Sequence, residues 1–101
     1  IIIVIGYIHD DISIPLHGKS DWGIQGLGSI GKYQCLVSDF RIKNKNDLWK
    51  VTLHEIGHAY GLNHCPNNSC IMQDCKGKPN WKNKKWFCNH CDSIWNPAGL
   101  D

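Results

Sequence analysis

Residues 54 to 64 read His-Glu-Ile-Gly-His-Ala-Tyr-Gly-Leu-Asn-His, three imidazoles and a carboxylate spaced so that they can serve a single divalent ion. Two histidines four apart on a helix stand one turn above each other, so both rings can reach one zinc ion at about 2.0–2.1 Å. His64 does not fit a continued helix. It would lie about 9 Å further along the axis than His58 and well off its face. Gly61 resolves this, because a residue that accepts positive φ lets the chain reverse and bring His64 back to the same ion. Three nitrogen ligands leave a fourth position open, which marks a catalytic rather than a structural zinc. Water there would be acidified toward a pKa of about 7 and would need a base. Glu55 is the candidate: it can accept that proton and pass it to a leaving amine while the metal steadies the developing oxyanion. These residues therefore predict hydrolysis of an amide, with a peptide or protein as substrate. A bare His-Glu-x-x-His is short enough to arise by chance, and it is Gly61 and His64 at their offsets that make the pattern specific. His9 and His17 lie in loop-like sequence and read as ordinary surface histidines.

Five of the six cysteines follow at once: Cys65, Cys70, Cys75, Cys88 and Cys91. A disulfide framework is one reading. The Cys88-Asn89-His90-Cys91 spacing and the lack of a visible export signal favour the other, a structural zinc closed by four thiolates. Such a site would staple a C-terminal third that lacks apolar periodicity. Cys35 reads as a buried, inert thiol within a strand.

The elements that must position these residues can be read in outline. From Asp47 to Tyr60 the apolar period is that of a helix, with Asn46 or Asp47 as its cap. At about 100° per residue, Leu48, Trp49, Thr52, Leu53, Ile56, Ala59 and Tyr60 share one arc. His54 and His58 fall opposite, with Glu55 on the border. The expectation is a helix that buries its back and turns its histidines into a cleft. Ile1 to Ile5 reads as a strand buried on both faces, residues 9 to 20 as loop, Trp22 to Leu27 as a glycine-weakened edge strand, and Tyr33 to Ser38 as a further strand. A polar turn follows at Lys43 to Asn46, and a short helix is possible between Trp81 and Trp95. The edge strand with Gly23, Gly26 and Gly28 could pair with an extended substrate, backbone to backbone.

The sequence resembles the archaemetzincins, metzincin peptidases with a second, cysteine-bound zinc. His54, Glu55, His58, Gly61 and His64, then Cys65, Cys70-Ile71-Met72, Cys88 and Cys91 carry the resemblance. It implies that Cys65, Cys70, Cys88 and Cys91 hold a structural zinc and that Met72 forms a Met-turn beneath the catalytic metal, giving two zinc ions per chain. Cys75 is additional to that pattern and could replace Cys70 or Cys65. The implied fold is a mixed α/β (α+β) zincin-like core, with an upper subdomain at 1–64 and a lower, cysteine-rich one at 65–101. The resemblance also implies residues upstream of Ile1, in keeping with a start inside a strand and without Met.

Bulk properties narrow the partners. With 101 residues the chain is one domain with a modest core, divided at most by a cleft. A formal charge of +2, from 11 basic and 9 acidic residues, argues for neither nucleic acid nor membrane. The five lysines between Lys76 and Lys85 read as a solvated loop. No stretch is long and apolar enough to span a bilayer. A cytoplasmic monomer is the expectation. The competing class is a zinc-binding or interaction module without turnover, against which the presence of Glu55 argues.

Overall fold

The computed structural model describes residues 2–16, 19–74 and 81–95. Its main sheet has three strands in the order β1-β5-β4, from β1 (Val4–Ile8), β4 (Gly26–Gly28) and β5 (Gln34–Ser38). β1 runs parallel to β5 and β4 antiparallel to it. A separate hairpin joins β2 (Ile12–Leu16) to β3 (Lys19–Ile24). Helix α1 (Lys45–Tyr60) packs against β5 and β4, and a short α2 (Asn89–Trp95) closes the described chain. No helix among the described residues is long and apolar enough to cross a membrane.

Four local expectations are corrected. The strand foreseen at 1–5 is β1, shifted to Val4–Ile8 and lying at an edge of the sheet, so Val4 and Tyr7 are 64% and 56% exposed rather than buried on both faces. Much of the loop expected at 9–20 pairs as β2 and β3. Pro15 is tolerated because the register shifts between Ile14 and Leu16, where a missing N–H does little harm. The glycine-bearing strand foreseen at 22–27 is two pieces: its first half belongs to the hairpin, while β4 edges the main sheet. The cap of α1 is Asn44, not Asn46 or Asp47. Its side-chain oxygen accepts from the Asp47 N–H at 2.8 Å and its carbonyl from Leu48 N–H at 3.1 Å, satisfying donors that the first turn leaves open.

At the other end α1 stops where the glycine requires it to. Gly61 has φ 136, and its N–H reaches the His58 carbonyl at 3.0 Å while Leu62 N–H reaches the Gly57 carbonyl at 2.8 Å. This paired closure consumes carbonyls that the last turn would orphan. The β4–β5 connection adds to it: Gly31 N–H also donates to His58 and Tyr33 N–H to Ala59, both at 2.9 Å. The sheet is thereby tied to the helix end that carries His58.

The wheel needs a further correction. The buried residues of α1 are Val51, His54, Glu55, Gly57, His58 and Ala59. Of the foreseen back, Ala59 is buried and Leu48 and Leu53 pack partly against the core, but Trp49 is 41% exposed. Val51, His54, Glu55 and His58 follow the 0, 3, 4, 7 spacing of a buried stripe. Beneath it lies one core that joins Val37 of β5 and Val51 to Ile71, Met72, Trp81 and Phe87. Apolar packing thus covers the polar stripe itself.

Because the φ of Gly61 lies where an L side chain is strained, Gly61→Ala should lower stability by about 1–2 kcal/mol. Urea denaturation of the variant beside the parent measures this, and an unchanged midpoint would contradict the closure described.

Candidate metal centre

The three histidines foreseen as one set converge: their ligand atoms, and those of Cys65, Cys70, Cys88 and Cys91 as a second set, lie within 4.8 Å of one another in each group. His54 and His58 come from successive turns of α1, and His64 from the segment after the Gly61 reversal. The two helix-borne rings are oriented through Nδ1. His54 Nδ1 donates to the Ile71 carbonyl at 2.6 Å and His58 Nδ1 to the Leu62 carbonyl at 2.7 Å, while His64 Nδ1 lies 3.8 Å from Asp74. With both Nδ1 atoms carrying the proton, the Nε2 atoms of His54 and His58 are bare acceptors, yet they face each other at 3.1 Å. Two lone pairs so placed repel unless a cation lies between or beside them. The donor set therefore fits a divalent metal, and imidazole nitrogens suit zinc.

Protonation cannot supply that cation near neutral pH. Burial, partly countered by the Ile71 carbonyl, holds the His54 pKa down to about 4, and burial lowers His58 as well. Glu55 is 7% exposed, and burial pushes its carboxyl up to about 8 against the opposing hydrogen bond from the Gly28 backbone N–H. A buried carboxyl this far from its ordinary range can exchange a proton near neutrality.

Met72 is fully buried beneath α1. It comes that close because residue 57 has no side chain: a Cβ there would overlap Met72 Sδ and stand 3.1 Å from the Phe87 ring. Gly57 was missed in the sequence, although a glycine inside a helix costs about 1 kcal/mol relative to alanine and so signals a close approach. Trp81 was missed too. Its ring meets His54 edge-on at 5.7 Å, its Nε1 donates to Gln25 Oε1 at 3.2 Å, and Lys50 Nζ donates to its carbonyl at 2.7 Å. Nothing local in the sequence marks that contact. His9 is a surface histidine paired with Asp39 at 2.8 Å, and His17 lies outside the described residues.

The four thiols are free, and Cys35 is likewise a free, buried thiol. Cys70 Sγ accepts the Met72 N–H at 3.4 Å and the Cys88 N–H at 3.3 Å, while Cys65 and Cys88 Sγ lie 3.8 Å apart. Burial raises Cys70, and burial with its neighbouring thiols raises Cys91. Burial acts the same way on Cys88, yet the Cys91 backbone N–H and the neighbouring thiols bring it down to about 7. One thiolate forms readily and its neighbours then resist ionising, a set that accepts a divalent cation in place of protons. Cys75 lies outside the described residues.

A mixed sheet backed by one helix, with histidines on its covered stripe and a cysteine tetrad below, defines a zincin-like scaffold. The structure of archaemetzincin from Methanopyrus kandleri has the same fold, with a TM-score of 0.77 over 94% of this chain and 54% of that one at 23% identity. A zinc-dependent peptidase from Methanocorpusculum labreanum matches at 0.74, 25% identity and 93% of this chain, again 54% of the other. Residues 24–95 match the model of peptidase family M54, and the chain belongs to that family. Its curated relatives include the archaemetzincin of Archaeoglobus fulgidus, 34% identical over 80 residues, or 67% of this chain and 46% of that protein. The archaemetzincin of Nanoarchaeum equitans is 50% identical over 39 residues, 39% of this chain and 22% of the relative. The chain thus spans less than half the length of these curated relatives in the matched region.

The shifted groups set a pH profile for the chain stripped of metal. Where histidines are lowered, the unfolded chain binds protons more strongly, so stability falls on acidification below about pH 6.5. Where Glu55 is raised, the folded chain binds the proton more strongly between 4.5 and about 8, so stability falls as pH rises through that window. Stability should therefore peak near pH 6.5. Glu55 contributes on the order of 2 kcal/mol of decline from there to pH 8, and Glu55→Gln should remove that share. What is left are the opposed effects of Cys88, whose lowered pKa stabilises the fold above about pH 7, and of His9, whose raised pKa destabilises it above pH 6.5. Urea unfolding across this range checks both limbs.

Proposed function

We propose that this chain carries the catalytic core of a zinc-dependent peptidase that hydrolyses peptide bonds in peptide or protein substrates. The observation that carries this reading is the pair of Nε2 atoms on His54 and His58, facing each other at 3.1 Å beside His64 and Glu55. His54, His58 and His64 would hold the catalytic zinc, which when bound supplies Lewis acidity toward a water and the scissile carbonyl. Glu55 takes a proton on its carboxylate and returns it to the leaving amine, and its burial poises it for both directions. Met72 forms the apolar floor of the site, and Gly61 turns the chain so that His64 joins the set.

Cys65, Cys70, Cys88 and Cys91 would hold a second, structural zinc, giving two ions per chain. Their closeness supports this, as does the N–H to sulfur bonding around Cys70. Four free thiols suit a reducing compartment, which supports a cytoplasmic setting. The histidine-bearing part at 1–64 would be the upper subdomain and the cysteine-bearing part at 65–101 the lower one. The substrate lies extended along the edge of β4.

Glu55→Gln should retain its metal but lose cleavage of a peptide library by about 100-fold or more, in the range a positioned acid–base group contributes. Equal cleavage by parent and variant would remove Glu55 from its role. Elemental analysis of the purified protein should find two zinc ions per chain, and a single ion would sink the tetrathiolate site while leaving the peptidase intact.

A further inference from the structure

The glycines of β4 can be assigned a task from the hydrogen-bond parity of the strand. Ser38 N–H donates to the Gln25 carbonyl at 2.9 Å, and Leu27 stands opposite Leu36 in the same antiparallel register. Residues 25 and 27 therefore direct their backbone groups at β5, and Gly26 and Gly28 direct theirs at the open edge. There the Gly28 N–H meets the Glu55 carboxylate. On the strand face toward α1, a Cβ on Gly26 would stand 2.7 Å from Glu55 Cγ and 2.8 Å from its Oε2. One on Gly28 would stand 2.7 Å from the Glu55 carbonyl oxygen, 2.9 Å from His58 Cβ and 3.2 Å from Glu55 Oε1. The carboxylate thus lies beneath the strand, one oxygen against each glycine. Neither glycine has positive φ, so what residues 26 and 28 supply is room.

We propose that Gly26 and Gly28 are positioning residues that seat the Glu55 side chain: Gly26 by leaving space for its carboxylate, Gly28 by letting β4 settle onto α1 and presenting a backbone donor to it. The proposal rests on the peptidase reading above and adds the device that fixes its base. It also bears on substrate binding. A peptide laid along β4 meets the backbone groups of Gly26 and the carbonyl of Gly28, but it cannot use the Gly28 N–H without taking that donor from Glu55. The strand edge therefore both guides the substrate and orients the base, and it divides its donors between the two tasks.

The two glycines differ in what they would strike, and that difference supplies a test independent of turnover. In Gly26→Ala the obstacle is the Glu55 side chain, so its stability loss should shrink to near zero when Glu55→Ala is added. In Gly28→Ala the two nearest obstacles are the Glu55 backbone oxygen and His58 Cβ, with Glu55 Oε1 only third at 3.2 Å, so most of its loss should persist when Glu55→Ala is added. Thermal unfolding of the zinc-loaded full chain reads this cycle. If Gly26→Ala alone does not yield folded protein, recovery of the fold in the double variant supports the seat and its failure overturns it. On peptide substrate, Gly26→Ala should lower kcat on the order of 100-fold, the scale for an ångström of misplacement, with KM and zinc content near those of the parent. Parent-like kcat, or equal stability loss with and without the Glu55 side chain, would overturn the proposal. If the parent itself cleaves no peptide, the peptidase reading fails, while the stability cycle still decides whether the glycines seat Glu55.

Discussion

The contact on which the most depends is the one between His54 Nδ1 and the carbonyl of Ile71, 2.6 Å apart and buried. It sets which nitrogen of His54 carries the proton, and so which one is left with a lone pair for a metal. The carbonyl is in turn held from both directions along the chain. Ile71 N–H donates to the Trp86 carbonyl, the Cys65 N–H reaches the Met72 carbonyl, and the Ile71 and Met72 side chains are fully buried. Cys70 stands immediately before it, bridged to Trp86 and surrounded by the other three thiols. Three consecutive residues thus give one cluster a sulfur, the other an orienting oxygen and the floor between them an apolar side chain. The two clusters cannot move independently over so short a turn.

Polar groups can be buried here only because each has a specific partner. His54 and His58 spend their Nδ1 protons on main-chain carbonyls of segments that follow α1, so the helix cannot hold these rings without the turns at 62 and 71. Glu55 is covered by β4 from the other side. The energetic cost of burying neutral imidazoles and a carboxyl is visible in their shifted pKa values, and apolar packing by Met72, Trp81 and Phe87 offsets it. Packing in this molecule keeps water away from groups that would otherwise be hydrated, and that gives them their chemistry.

Sequence legibility followed the range of the interaction. Helix α1 and its stop at Gly61 were legible because period and positive φ are local properties, although the cap fell at Asn44, two residues ahead of the nearer expected position. So was β5, with its run of strand formers. The histidines could be grouped by spacing, since metal ligands are constrained by the ion they share, whereas the choice of four cysteines out of five came from the family resemblance. The hairpin at 12–24 was not legible, because Pro15 and the glycines argue against a central strand and only the pairing shows that a small two-stranded sheet tolerates them. The isoleucine run misled in the opposite way: its composition fits burial on both faces, but its position at a sheet edge is a tertiary fact. Contacts such as Trp81 on His54 and Ile71 on His54 join residues 27 and 17 apart and leave no trace in any local window.

The wheel was right only in part, at Ala59 and at the partly buried Leu48 and Leu53, for an instructive reason. It sorted residues by hydrophobicity and assigned the apolar arc to the interior, which is sound for a helix whose polar face meets water. In α1 the polar stripe is the one that meets the Met72 turn and β4, and the apolar arc is left partly open at Trp49. The glycines already held the clue. Gly57 on the helix and Gly26 and Gly28 on the strand are all positions where a Cβ would strike the covered stripe or the side chains laid over it. A glycine in a regular element forfeits stability unless something needs the space, so three of them around one histidine pair mark the face that is closely approached. Polarity shows where the chemistry is, and the glycines show from which side the fold closes over it.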